Sequence, residues 1–277
     1  MPILSQLPGP DLPFPQDWVD PDTVPRAVVT VGIDSSMTGR LELAPHAHPK
    51  AQFFLSLRGV ITCEAESGFW LVPPRSALWI PAGMRHALTV EGVVEGYAAY
   101  VQPAALPDLP ASCCTFQVTP LMRELLIRSA SFPVLYPEDG FEARLIGLLL
   151  EEISRSPPST LHLPVPEDRR VRQLVDMMLA EPVERGTIAT WARRAGLSER
   201  TLSRLIAQQT GMSFGRWRQQ IGIMLAVQKL AKGASIQQVA ADLGYESTSS
   251  FVTMFRKALG MPPGRYLASQ LAAVGSR

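Results

Sequence analysis

The sequence predicts two domains of different class: an antiparallel β-barrel with trailing helices, then an all-α domain of two helix-turn-helix units joined by a long helix. Three observations lead there. Short β-like runs fill residues 26–101, and one helical pattern is stated twice between Thr187 and Ala268. Charge also divides the chain: 10 Lys+Arg stand against 17 Asp+Glu in residues 1–165, and 16 against 8 in residues 166–277, or −7 followed by +8. A chain of 277 residues is long enough for two domains that each bury a core.

Residues 1–25 hold seven prolines and are expected to form an extended arm, because proline fixes φ and removes a backbone donor. The barrel domain is expected over 26–153. Its strands are Ala27–Ile33, Gln52–Leu57, Val60–Glu64, Phe69–Val72, Ala77–Ile80, His86–Val90 and Val94–Val101, separated by turn signals at Arg58-Gly59, Ser67-Gly68, Pro73-Pro74 and Pro81-Ala82-Gly83. Many short strands at this spacing suit a small antiparallel barrel or sandwich. After Pro120 the apolar period becomes helical, with Leu121, Leu125 and Leu126, then Phe141, Leu145, Leu148 and Leu149. These helices are expected to pack on the barrel, and their apolar stripe also suits a homodimer contact. Residues 154–167, with Pro157-Pro158 and Pro164-Val165-Pro166, are expected to break regular structure as a linker.

The helical domain is expected over 168–277. Ile188-Ala189-Thr190-Trp191-Ala192-Arg193-Arg194-Ala195-Gly196-Leu197-Ser198 answers to Ile236-Gln237-Gln238-Val239-Ala240-Ala241-Asp242-Leu243-Gly244-Tyr245-Glu246-Ser247. Gly196 to Gly244 is an offset of 48, whereas Gly211 to Gly260 is 49, so the second turn is one residue longer. In each copy Ile and Ala four residues apart (Ile188/Ala192, Ile236/Ala240) share a buried helix face. Gly196 and Gly244 then supply a left-handed position, and Ser198 and Ser247 cap the next helix. That second helix buries Leu202, Leu205 and Ile206 in copy one, leaving Arg200, Ser203 and Arg204 outward. In copy two Phe251, Met254 and Phe255 are buried, and Thr248, Ser249 and Thr253 face out. Arg216 to Lys232 reads as one connecting helix, about 25 Å long at about 1.5 Å per residue. Such a spacer suits recognition helices set about 34 Å apart, the repeat between successive major-groove faces of double-stranded DNA.

The tandem units, the connecting helix and the closing Gly260-Met261-Pro262-Pro263-Gly264-Arg265-Tyr266 resemble the DNA-binding domain of AraC/XylS transcription regulators over about residues 168–270. The resemblance implies base contacts from Arg200, Ser203, Arg204, Thr248, Ser249 and Thr253. The two arginines offer planar donor pairs to guanine, while the hydroxyls read more permissively, so copy one is expected to carry more of the direct readout.

Three of four histidines gather in the acidic half: His46, His48 and, after the Pro81-Ala82-Gly83 turn, His86. On a strand, His46, His48 and Gln52 share parity, and imidazoles so placed suit a divalent transition metal with an open position. The spacing His-x-His-x3-Gln-x6-Gly to Gly59, then Pro81-x-Gly83-x2-His86, resembles the cupin signature. Cupin-like barrels are also the usual sensory domain of the regulator family. Gln52 stands where an acidic ligand is usual, Arg75 where a glycine opens the second motif, and Val90 where Asn is common.

The expectation is a sequence-specific regulator of transcription, without catalytic residues. A metal or a small-molecule effector in the cupin-like barrel controls it, and Phe53, Leu55, Trp70 and Trp79 are candidate walls for an organic effector. Its partners would be DNA, the transcription machinery and a second copy of itself. The rival is a metal-dependent cupin enzyme, a dioxygenase or isomerase, carrying an accessory DNA-binding domain. Cys63 stands alone, and adjacent Cys113-Cys114 are poorly placed to bridge. That usage, the absence of a secretion-like start and the lack of a bilayer-length apolar run point to the cytoplasm and away from membranes.

Overall fold

The computed structural model describes residues 3–4, 19–35, 40–65, 68–106, 108–159, 162–180 and 186–271. Most of the expected arm (5–18), Ser67 of one expected turn, Thr160 of the expected linker and the last six residues lie outside them. The chain divides between residues 162 and 163 into two compact units.

The first unit is an antiparallel β-fold covered by two helices. Its strands are β1 (Ile3–Leu4), β2 (Val28–Ser35), β3 (Arg40–His46), β4 (Ala51–Ala65), β5 (Gly68–Val72), β6 (Ser76–Ile80), β7 (His86–Val101), β8 (Cys114–Gln117) and β9 (Pro158–Ser159). Neighbours run β1-β2-β7-β4-β6-β8-β9, while β3 also pairs with β7 and β5 with β4. The two long strands, β4 and β7, are the spine: Ala51 pairs with Val101 at one end and Ala65 with His86 at the other.

The observed strands differ from expectation in five places. Arg58-Gly59 does not break β4; the register shifts between Ser56, Arg58 and Val60, so the turn signal is absorbed as an irregularity within one strand. The segments 86–90 and 94–101 are likewise one strand. β3 and β8 went unpredicted because their alternation is short, four residues each in Arg40-Leu41-Glu42-Leu43 and Cys114-Thr115-Phe116-Gln117, and Pro45 interrupts the first. Within 154–167, Pro158–Ser159 pairs with β8, and His162–Pro164 forms β10. The arm range also holds structure: β1 runs parallel to β2, and Pro21–Thr23 makes a single 3-10 turn capped by Asp20.

Helix α1 (Pro120–Ser129) is capped by Thr119, and α2 (Phe141–Arg155) follows. The sheet has two apolar faces, as alternation requires. Val31, Ile33, Phe54, Ile61, Trp70, Leu78 and Ile80 pack inside, whereas Val28, Phe53, Leu55, Trp79 and Phe116 pack against Met122, Leu126, Ile146 and Leu149 of the helices. β6 is therefore buried along its whole length. The four aromatic and aliphatic walls expected for one organic site are thus split: Trp70 points inward, and Phe53, Leu55 and Trp79 pack under the helices. Cys63, alone in the sequence, is a buried free thiol, as is Cys113.

The second unit holds α3 (Arg169–Ala180), α4 (Ile188–Arg194), α5 (Glu199–Thr210), α6 (Phe214–Ala231), α7 (Ile236–Asp242), α8 (Thr248–Leu259) and α9 (Pro263–Leu271). Thr187, Ser198, Ser213, Ser235 and Ser247 each accept a backbone N–H at a helix start, and each such cap is worth about 1 kcal/mol. Trp191, Leu202, Ile206, Trp217, Val239, Phe251 and Phe255 fill the core. Leu205 and Met254, expected in it, are only half-buried. Among the described residues no helix is long and apolar enough to cross a membrane.

Candidate functional site

In the helical unit, the two turns reach one geometry from different lengths. Gly196 and Gly244 both adopt left-handed φ, 64° and 68°. Leu197 N–H donates to Ala192 O and Tyr245 N–H to Ala240 O, each at 2.8 Å. The extra residue, Glu246, is taken up by extending the cap: Ser247 has φ −144°, against −77° at Ser198. Two 12-residue helices, α5 and α8, follow.

Arg200, Ser203 and Arg204 are exposed along one side of α5, with Arg204 held toward Gln208 at 3.1 Å. On α8, Ser249 and Thr253 are exposed and Thr248 is half-buried. Each recognition helix thus presents its expected side chains away from the core. Arg256 and Lys257, exposed in the last turn of α8, lie outside the set that helical period and the family resemblance singled out.

In the first unit the three histidines converge. β3 pairs with β7 so that His46 lies opposite His86, with ring centroids 4.4 Å apart. β3 ends at His46, so His48 does not join by strand parity as expected. It comes from the β3–β4 turn and approaches His86 to 5.2 Å between centroids. Gly83, with φ 72°, donates its N–H to His48 O and so ties the second motif to the first. A Cβ on Gly83 would touch nothing within 4 Å, so glycine is needed there for its backbone, not for space. Arg75, the departure in the second motif, still takes the left-handed conformation, with φ 65°.

Each imidazole is oriented by its own backbone contact. His46 Nδ1 meets Ala44 O at 2.8 Å, His48 Nδ1 meets Lys50 O at 2.5 Å, and His86 Nδ1 meets Met84 O at 2.9 Å. A carbonyl only accepts, so each Nδ1 carries the proton and each Nε2 of a neutral ring keeps its lone pair. Nε2 of His48 and of His86 is buried without a hydrogen-bond partner. One ring nitrogen from each residue lies within 4.8 Å of the others. Burial, opposed by the Met84 carbonyl and helped by the neighbouring histidines, lowers the His86 pKa to about 4, so its lone pair is available at neutral pH.

Two supporting residues were not foreseen. Tyr100 packs edge-on against His48 at 5.4 Å and accepts from Gln52 Nε2 at 3.3 Å, while Gln52 Oε1 is buried and unpartnered. Burial pushes the Tyr100 phenol up, so it stays neutral. Gln52 therefore borders the cluster through Tyr100. Lys50 is buried, and its ammonium donates to Val24 O and Arg26 O while its amide donates to Asp22 Oδ1. His48 is thereby linked through Lys50 to residues 22–26.

Comparison with known proteins agrees with this division. A family described as "Helix-turn-helix domain" matches residues 191–269, and one described as "AraC-like ligand binding domain" matches residues 35–129. The chain is 41% identical over 249 residues to the HTH-type transcriptional regulator NimR of Escherichia coli K12, covering 90% of each. It is similar to the fatty-acid-bound structure of ToxT from Vibrio cholerae at 12% identity and a TM-score of 0.39, covering 90% of this chain and 98% of that one. The DNA-binding domain of AdpA in complex with a target DNA is 28% identical, with a TM-score of 0.35, and covers 37% of this chain and 93% of that one. An AraC-like ligand-binding domain ahead of a duplicated helix-turn-helix domain, together with the extent of identity to NimR, places the chain in the AraC family of transcription regulators.

Proposed function

We propose that His46, His48 and His86 hold a divalent transition metal and that occupancy of this site controls binding of the helical domain to a specific DNA sequence. The observation that carries the reading is the shared orientation of the rings: three Nδ1 atoms committed to backbone carbonyls, and buried, unpartnered Nε2 atoms on His48 and His86. Metal-ligating imidazoles are oriented by such contacts, and a buried nitrogen without a partner is otherwise costly. A small inward movement closes a 4.8 Å spread to metal–nitrogen distances of about 2.0–2.1 Å. Gln52 Oε1 is the candidate fourth donor. Lacking a carboxylate, this donor set compensates less of the ion's charge and suits imidazole-preferring metals such as Zn(II), Ni(II) or Cu(II).

On the DNA side, Arg200 and Arg204 read bases, Ser203, Thr248, Ser249 and Thr253 add permissive contacts, and copy one sets most of the sequence. A second copy of the chain is the partner for α2, where Phe141 and Leu148 are 53% and 43% exposed on one stripe. Effector binding then changes the recruitment of the transcription machinery in the cytoplasm, where the DNA lies. No residue is assigned a catalytic role.

The test is DNA affinity for a library-selected site, measured with added Zn(II) or Ni(II) and with chelator. Coupling of this kind is worth about 5–150-fold. Wild type should shift by that amount and His48→Ala should not. A metal that binds without moving DNA affinity would contradict the regulatory half of the reading.

A further inference from the structure

The helical domain contains an open groove of about 950 Å³ between its two helix-turn-helix units. Its walls are α4 and α8, and its floor is α6. Among the described residues the lining includes two cations, Arg218 and Lys257, and no Asp or Glu. Thr187, Ser249 and Thr253 add hydroxyls along the rim. In the wall, the indole N–H of Trp191 is buried and has no acceptor. A cleft lined by cations and hydrogen-bond donors favours an anion.

The floor has been kept clear. Gly215 and Gly222 lie two turns apart on α6 and both line the groove, and a Cβ at either would meet no atom within 4 Å. Glycine inside a helix is less favourable than alanine, and no described atom crowds either position, so the floor of the groove is open along two turns of α6.

We propose that this groove seats the phosphodiester backbone of bound DNA where it passes between the two recognition helices. The occupant follows from position: Ser249 and Thr253 belong both to the groove lining and to the exposed side of α8, so a duplex held by α8 lies at its mouth. Arg218 and Lys257 neutralise phosphates there, independently of sequence. The inference rests on the DNA-binding role of this domain and is independent of the metal reading.

The test is the salt dependence of DNA binding by the full chain. Each lost phosphate contact should flatten the slope of log K against log salt by about 0.9, so Arg218→Ala with Lys257→Ala should flatten it by about 2. Preference across a randomised library should stay unchanged, unlike in Arg204→Ala, whose altered preference reports separately on base readout. Gly222→Leu, which fills the floor without touching a charge, should weaken DNA binding several-fold while leaving the thermal melting temperature of the free protein unchanged or higher. An unchanged slope in the double variant would overturn the proposal. So would stabilisation of DNA-free wild type by millimolar inorganic phosphate with the DNA salt slope unaffected, since the groove would then hold a free anion.

Discussion

The two candidate sites are built on opposite plans. In the helical unit the backbone is satisfied first: five Ser or Thr caps close the helix starts, and the candidate DNA contacts stand on the finished helices, mostly in solvent. In the β-unit the polar groups are drawn inward, and ring nitrogens of His48 and His86 are left buried without partners. A polymer is met by exposed side chains on rigid supports, whereas a small ion needs a desolvated cage whose donors are incomplete until it binds. Substitutions should therefore act steeply in the cluster and gradually on the recognition helices.

The largest effect should come from His86→Ala. Outer-shell changes alone cost on the order of 10–100-fold in metal affinity, and loss of a ligand should exceed that. Isothermal titration against Lys50→Met, which removes only the anchor beside His48, measures the contrast; similar losses in both would blur the cage into general packing.

Next comes pH. The folded-state pKa of His86 is lowered to about 4 from 6.5, so between those values the unfolded chain takes up a proton that the folded chain refuses. Stability of the metal-free protein should be complete above pH 6.5 and fall as pH drops toward 4, by on the order of 2–3 kcal/mol. His86→Leu should flatten that slope in denaturant melts. An equal slope in the variant would place the loss elsewhere.

On the DNA side, Arg204→Ala should weaken binding by about 1–3 kcal/mol and relax preference at one base pair. Thr253→Ala should cost under about 1 kcal/mol, because a single exposed hydroxyl is a weaker reader than a guanidinium fork. Selection from a randomised library compares the two, and a larger effect at Thr253 would reverse the assignment of readout to copy one.

The helical domain was legible because its signals are local. Gly196, Gly244, Ser198 and Ser247 fix turn and cap within a few residues of each other, and the outward set Arg200, Ser203 and Arg204 follows from helical period. The groove was not legible, since Thr187, Arg218 and Lys257 meet only after the units pack. In the β-unit the histidines were visible by spacing, but strand parity gave the wrong reason for His48. Its place depends on a turn held by Gly83 and Lys50. Tyr100 and Lys50 carry no motif at all; they reach the cluster through strand register and a buried ammonium.

The central claim is that the histidine cluster is a metal centre. Titration of chelator-treated wild-type protein with Zn(II), read by calorimetry together with native mass spectrometry, tests it most directly. One ion per chain, bound in wild type and lost in His86→Ala with the fold retained, is the predicted result. Failure of wild type to bind Zn(II), Ni(II) or Cu(II) at stoichiometric concentration, or equal binding by His86→Ala, would contradict it.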